Sequence, residues 1–206
     1  TFNPLFPISG DTLSEGNVKV QTSDSNYSPS SSSIGVASGK WYAEVKYTAQ
    51  SSSSALMVGV TSNPSEDARN DDSIGEQSYS YGYNSANGES YTGGWSGTSY
   101  GDSFTVDDII GITLNLDDNE LIFYKNGAVQ NSGTALSITA AASTTSGFYH
   151  FAISDTTTNY NITAEINFGN PSFSISSGNA DANGYGNFEY AVPNGFYALC
   201  TKNLAE

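Results

Sequence analysis

Five residue types that carry much of protein chemistry are nearly missing from this chain of 206 residues: it has one cysteine, one histidine, one methionine and six lysines and arginines together. A single Cys200 excludes an intrachain disulfide, so the fold rests on packing and hydrogen bonds. One histidine and one cysteine exclude a zinc site of ordinary composition. Against the six cations stand 21 aspartates and glutamates, a net charge of −15. A surface so acidic repels a phosphate backbone and excludes nucleic-acid binding. No apolar run approaches the roughly 18 residues of a membrane span, and membrane insertion is not expected. The start, Thr1-Phe2-Asn3-Pro4, lacks the basic and apolar regions of a signal peptide and an initiating methionine, as expected of a processed or excised chain. What is abundant is Ser, Thr, Asn and Gly, 92 of the 206 residues, together with 14 Tyr, 10 Phe and 2 Trp. The hydroxyl and amide content alone would suit a disordered chain, but 37% hydrophobic residues close a core.

Helical periodicity is scarce, whereas alternation bounded by Gly, Asn, Asp and Ser recurs. In Lys40 to Thr48, Trp41, Ala43, Val45 and Tyr47 share one face and Tyr42, Glu44 and Lys46 the other, a half-buried strand. Leu56 to Val60 is a short apolar run of sandwich-core type, ended by Asn63-Pro64. Glu66 to Glu76, with Arg69 and five acidic residues, reads as an exposed loop. Tyr79, Tyr81 and Tyr83 alternate, Asn87-Gly88 turns the chain, and a strand returns through Tyr91. Ile109 to Leu116 leads through Asp117-Asp118-Asn119 into Leu121 to Lys125, and Asn126-Gly127 suits a type I′ turn. Later strands are expected at Leu136 to Ala140, Gly147 to Ile153, Ile162 to Phe168 and Phe196 to Thr201, with the serine runs at 30–33 and 51–54 between strands. Turn signals every 8 to 12 residues or so predict an all-β, two-sheet antiparallel β-sandwich in one domain spanning 1–206.

Several ordered pieces resemble a SPRY domain, a sandwich related to concanavalin A-like lectins and glucanases. They are Gly39-Lys40-Trp41-Tyr42-Ala43-Glu44-Val45, Val58-Gly59-Val60, Tyr81-Gly82-Tyr83 with Gly101-Asp102 and Asp108 to Gly111, and Leu116-Asp117 with Ile122 to Gly127. Ile166-Asn167-Phe168-Gly169 resembles the family's closing strand, and the resemblance covers 39–169, with 1–38 and 170–206 as flanking strands and loops. The flanks, Thr12 to Asn17 and Pro193 to Leu204, look like the ends of such modules in tailed-phage and environmental viral structural proteins. The resemblance therefore implies a non-catalytic virion surface module: capsid decoration or a head or tail fibre component, in symmetric copies beside other virion proteins. An apolar flank from Phe2 to Pro7 would help hold it there, and its loops would meet a host glycan or protein. A glycan-active enzyme and a cellular SPRY peptide-binding adaptor are the alternatives.

Catalytic candidates are few. Glycosidases need two carboxylates about 5–9 Å apart, and neither Glu44 nor Glu165 has a second on its own strand; Glu44 is expected to be solvated or ion-paired. Gly97-Thr98-Ser99-Tyr100-Gly101 matches the nucleophile-elbow pattern, but no strand-turn-helix surrounds it and it reads as a Gly/Ser loop. His150, inside Phe148-Tyr149-His150-Phe151, reads as packed. No catalytic residue and no cofactor are therefore assigned. Calcium needs only oxygen ligands, which leaves Asp71 and Asp72 as candidates; Asp107-Asp108 and Asp117-Asp118 fall at turns, where Asp serves its own backbone. The remaining signal is aromatic. Tyr79 to Tyr100 interleaves Tyr and Trp with Asn, Ser and Gly, the chemistry of rigid recognition surfaces. Tyr81 and Tyr83 read as core, while Asn87, Tyr91, Trp95 and Tyr100 are the candidate partner-binding residues, Trp95 foremost because Gly93-Gly94 and Ser96-Gly97 offer no strand to hold it.

Overall fold

The computed structural model describes residues 1–5, 10–27, 29–65 and 72–205. In chain order the strands are β1 (Thr12–Ser14), β2 (Lys19–Gln21), β3 (Ser30–Ser31), β4 (Lys40–Gln50), β5 (Leu56–Thr61), β6 (Ser80–Asn84), β7 (Glu89–Thr92) and β8 (Thr98–Ser99). They continue with β9 (Ile109–Asn115), β10 (Glu120–Lys125), β11 (Ala128–Val129), β12 (Leu136–Ser137), β13 (His150–Asp155), β14 (Ile162–Asn167) and β15 (Tyr197–Ala198). One sheet runs β1-β2-β14-β4-β9-β10-β11, with β12 beside β10 and β15 beside β4; the other runs β3-β13-β5-β6-β7-β8. All pairings are antiparallel except β15 with β4. The all-β sandwich read from the sequence is what the chain forms.

The core lies between the sheets, where alternation places it. Trp41, Ala43, Val45 and Tyr47 of β4 and Ile110, Ile112 and Leu114 of β9 face Val58 and Val60 of β5 and Phe151 and Ile153 of β13. At one end an aromatic cluster closes it: Tyr83 sits 5.1 Å from Phe104, 5.2 Å from Phe123 and 5.4 Å from Tyr100 between ring centroids. Asn126 and Gly127 both take positive φ, 48° and 80°, and Lys125 pairs with Ala128, the expected type I′ hairpin. Gly59 and Gly82 lie opposite each other because backbones approach closely there: a Cβ on Gly59 would stand 1.9 Å from the Tyr81 carbonyl oxygen.

The structure departs from the sequence reading in five places. β12 and β15 are two residues each, and β13 starts at His150, because Gly147 has positive φ and Ser146 turns the chain into it. Ser30–Ser31 is itself a buried strand, paired with β13. β4 is not half-buried: Tyr42 and Glu44 on its outer face are 1% and 0% exposed, because residues from 179 to 199 fold back across them and seat Phe188 on the Tyr42 ring at 5.1 Å. Of the loop read as exposed, residues 66–71 lie outside those described, while Asp72, Ser73 and Ile74 are buried against β13. Of the apolar flank, Phe2 is a core residue and Leu5 is exposed; Phe6 and Pro7 lie outside the described residues.

Candidate functional site

The aromatic signal resolves into one surface built from three segments. Residues 72–77 are fixed to the end of β13: Ser73 Oγ donates to the Asp155 carbonyl at 2.8 Å, and the Ile74 N–H donates to Ser154 Oγ at 3.0 Å. The Gly75 carbonyl then accepts the N–H groups of both Gly93 and Gly94, at 2.8 and 3.1 Å, which docks the β7–β8 loop on that segment. Gly75 must be glycine here, since it has a φ of 100° and an added Cβ would stand 2.7 Å from Tyr91 Cβ. Tyr27 comes from a third direction. Its carbonyl accepts the Asp155 N–H at 3.1 Å, and its ring meets Trp95 edge-on, centroids 6.4 Å apart and planes at 75°.

Trp95 is 63% exposed, the large aromatic the sequence places outside any strand. Tyr91 is half-buried against Met57, Ile74 and Ala152, with its hydroxyl 3.4 Å from Glu89 Oε2. Asn87 is exposed and spends its amide on Glu89: Nδ2 donates to Oε2 at 2.7 Å and Oδ1 accepts the Glu89 N–H at 3.1 Å. Tyr100 belongs elsewhere. It is 5% exposed, packs edge-on to Phe123 and Tyr83, and its hydroxyl accepts the Phe123 N–H at 3.2 Å, so it offers nothing to a partner. β8 is too short for alternation to predict which way the next side chain turns. Sequence reasoning missed Tyr27, which lies 68 residues before Trp95 in a segment without periodicity, and Glu76, whose carboxyl caps the Ser73 N–H at 2.9 Å.

The other candidates take structural positions. Glu44, expected to be solvated or ion-paired, is neither: its carboxylate accepts the N–H groups of Tyr190 at 2.8 Å and Glu189 at 3.0 Å, Asn167 Nδ2 at 3.2 Å and the Tyr42 hydroxyl at 3.2 Å. Burial raises its pKa and those bonds oppose the rise. Glu165 pairs with Lys19 at 3.4 Å and accepts Ser172 Oγ at 2.6 Å. His150 Nδ1 donates to the Ser32 carbonyl at 2.8 Å, and burial lowers its pKa. Asp108 and Asp118 hold Lys125 and Lys40, while Asp117 accepts the Gly39 N–H. Asp71 lies outside the described residues; Asp72 accepts the Gln77 amide. Among the described residues no three His, Cys, Asp or Glu side chains group as metal donors, and no helix is long and apolar enough to cross a membrane. A cleft of about 750 Å³ opens near the start of β4, lined by Val36, Trp41, Asp117, Asn183 and Tyr197 among others. It contains none of the candidate partner-binding residues Asn87, Tyr91, Trp95 and Tyr100.

Comparison with known proteins follows the same division of the chain. A family model described as the SPRY domain matches residues 40–170. Ran-binding protein 9 of Xenopus tropicalis is 31% identical over 122 residues, 56% of this chain and 22% of that protein. Ran-binding protein 9 of Homo sapiens is 28% identical over 134 residues, 62% of this chain and 18% of that protein. Ran-binding protein 10 of Danio rerio is 32% identical over 94 residues, 46% and 15% respectively. The chain thus spans about a fifth of the length of the curated relatives it matches. Among solved structures, the SPRY domain of human HERC1 superposes with a TM-score of 0.63 at 18% identity, over 81% of this chain and 96% of that one, a likeness of fold. These relatives correct one expectation. They are cellular proteins of animals, and the placement on a virion surface is overturned; it rested on the likeness of two flanks that lie outside residues 40–170, where the family is recognised.

Proposed function

The chain belongs to the SPRY domain family, and from that premise we propose that it is a non-catalytic protein-interaction module that reads a peptide segment of its partner on the Trp95 surface. The carrying observation is an indole 63% exposed yet braced against Tyr27 on a loop pinned at both Gly93 and Gly94. A large aromatic held rigid in water loses little entropy on binding and buries much apolar area, which is how hot-spot residues work. The relatives, named as binding proteins, support the same class of role; their own partner is not carried over from a shared fifth of their length. A cellular SPRY adaptor, rather than a particle component, is the reading this favours.

The test pans a displayed random-peptide library against the intact chain and measures the recovered peptides by fluorescence anisotropy. Trp95→Ala is expected to weaken them at least tenfold, in the hot-spot range, with a melting temperature within about 2 °C of the parent, as for an exposed side chain. Recovered peptides that bind Trp95→Ala as tightly as the parent would remove this surface from the function.

A further inference from the structure

Among the described residues, no cation meets the carboxylates that border the Trp95 surface. Asp72, Glu76 and Glu89 all border it: Glu76 follows Gly75, the residue that anchors the Trp95 loop, and Glu89 lies under Gly97, where an added Cβ would come within 2.3 Å of Oε2. Asp72 is 7% exposed. The hydrogen-bond donors to these three carboxylates are all neutral, namely the Gln77 amide, the Ser73 N–H, the Asn87 amide and the Tyr91 hydroxyl. The lysines are committed elsewhere. Lys19 pairs with Glu165, Lys40 with Asp118, Lys46 with Asp107 and Lys125 with Asp108, while Lys202 lies over the Tyr185 ring at 4.9 Å. Arg69, the remaining cation, falls outside the described residues.

Resting on the recognition role just given, we propose that the partner segment is basic and places a lysine or arginine side chain on the Trp95 indole, between the carboxylates that border it. Two attractions then act on one group. An indole face draws a cation through its quadrupole, and the carboxylates exchange solvation for a charge partner as the surface dries. Other partner chemistries fail. An acidic segment meets like charge on a chain of net −15. A purely apolar one strips water from Glu76 and Glu89 and returns nothing for it. The upward shift of the Glu76 carboxyl by burial, reinforced by the Asp72 charge, agrees with carboxylates that no described cation meets.

The experiment uses the same library against the intact chain and the variants Glu89→Gln and Trp95→Ala. Glu89→Gln keeps an acceptor for the Asn87 amide, so it removes charge without removing the loop's hydrogen bond. The recovered peptides are expected to share a lysine or arginine whose replacement by glutamine weakens binding at least tenfold. Glu89→Gln is expected to weaken them threefold or more, and raising NaCl from 50 to 500 mM to weaken them by at least as much. Peptides that depend on Trp95 but share no cation and ignore salt would overturn the basic partner and leave the recognition surface standing. Peptides indifferent to Trp95→Ala would overturn both.

Discussion

Burial pushes the Glu76 carboxyl up to about 7; the Ser73 N–H opposes the rise and the Asp72 charge adds to it. Linkage gives the sign. Below about pH 4.5, its ordinary value, the group is protonated in both the folded and the unfolded chain and stability is at its fullest. Between there and about pH 7 the unfolded chain gives up the proton first, so stability falls as pH rises. Glu76→Gln, which can still accept the Ser73 N–H, should therefore melt with the parent near pH 4 and above it at pH 8. After discounting for the solvent that reaches this half-buried group, the gain is about 1–2 kcal/mol, or roughly 2–8 °C for a chain of this size. Parallel thermal scans from pH 4 to 8 check it, and a gap that does not widen with pH contradicts it. At this scale legibility follows local register. Trp95 was readable because glycines on both sides deny it a strand, whereas Tyr100 was not, because it follows a two-residue strand and turns inward through the Tyr100 N–H to the Gly88 carbonyl.

β4 shows the limit at the next scale. Its own alternation predicts the inner face correctly, and Asn126-Gly127 predicts the β10–β11 turn, because both signals are written within a few residues. The cover over Tyr42 and Glu44 comes from about 145 residues downstream, in an aperiodic segment held by hydrogen bonds to one carboxylate. No period in β4 could announce it. The consequence is measurable: Glu44→Ala leaves the half-buried Glu189 and Tyr190 N–H groups without an acceptor, at about 1–2 kcal/mol for each. A loss of about 3 kcal/mol lowers the melting temperature by roughly 6–12 °C. Hydrogen exchange at residues 189 and 190 should rise well before exchange in β9 does, because the strap of residues 179 to 199 opens while the sandwich holds. Unchanged exchange at those two amides would show that Glu44 does not hold the strap.

For the whole molecule, turn spacing and alternation made the sandwich legible, while the likeness of the flanks, Thr12 to Asn17 and Pro193 to Leu204, misdirected its placement, since both lie outside the residues 40–170 that the family model matches. The family model's match is also narrower than the main core. It spans 40–170, yet Phe2, Val20, Val36 and Leu199 belong to the main core, β2 covers the edge of β14, and β15 continues the sheet beside Trp41 and Tyr42. A fragment of residues 40–170 would open the β14 edge, bare Tyr42 and Glu44, and remove four core side chains. Burying a Val, Leu or Phe contributes about 1.5–3 kcal/mol each, so these losses together rival the 5–15 kcal/mol that a domain of ordinary stability has to lose. The full chain is expected to unfold in urea as one cooperative transition seen alike by circular dichroism and tryptophan fluorescence. The fragment is expected to give a broad, probe-dependent loss of signal or to aggregate through its open edge. A fragment with a sharp transition at the parent's midpoint would show that the flanks ride on an independent core, and that the sandwich ends where the family resemblance does.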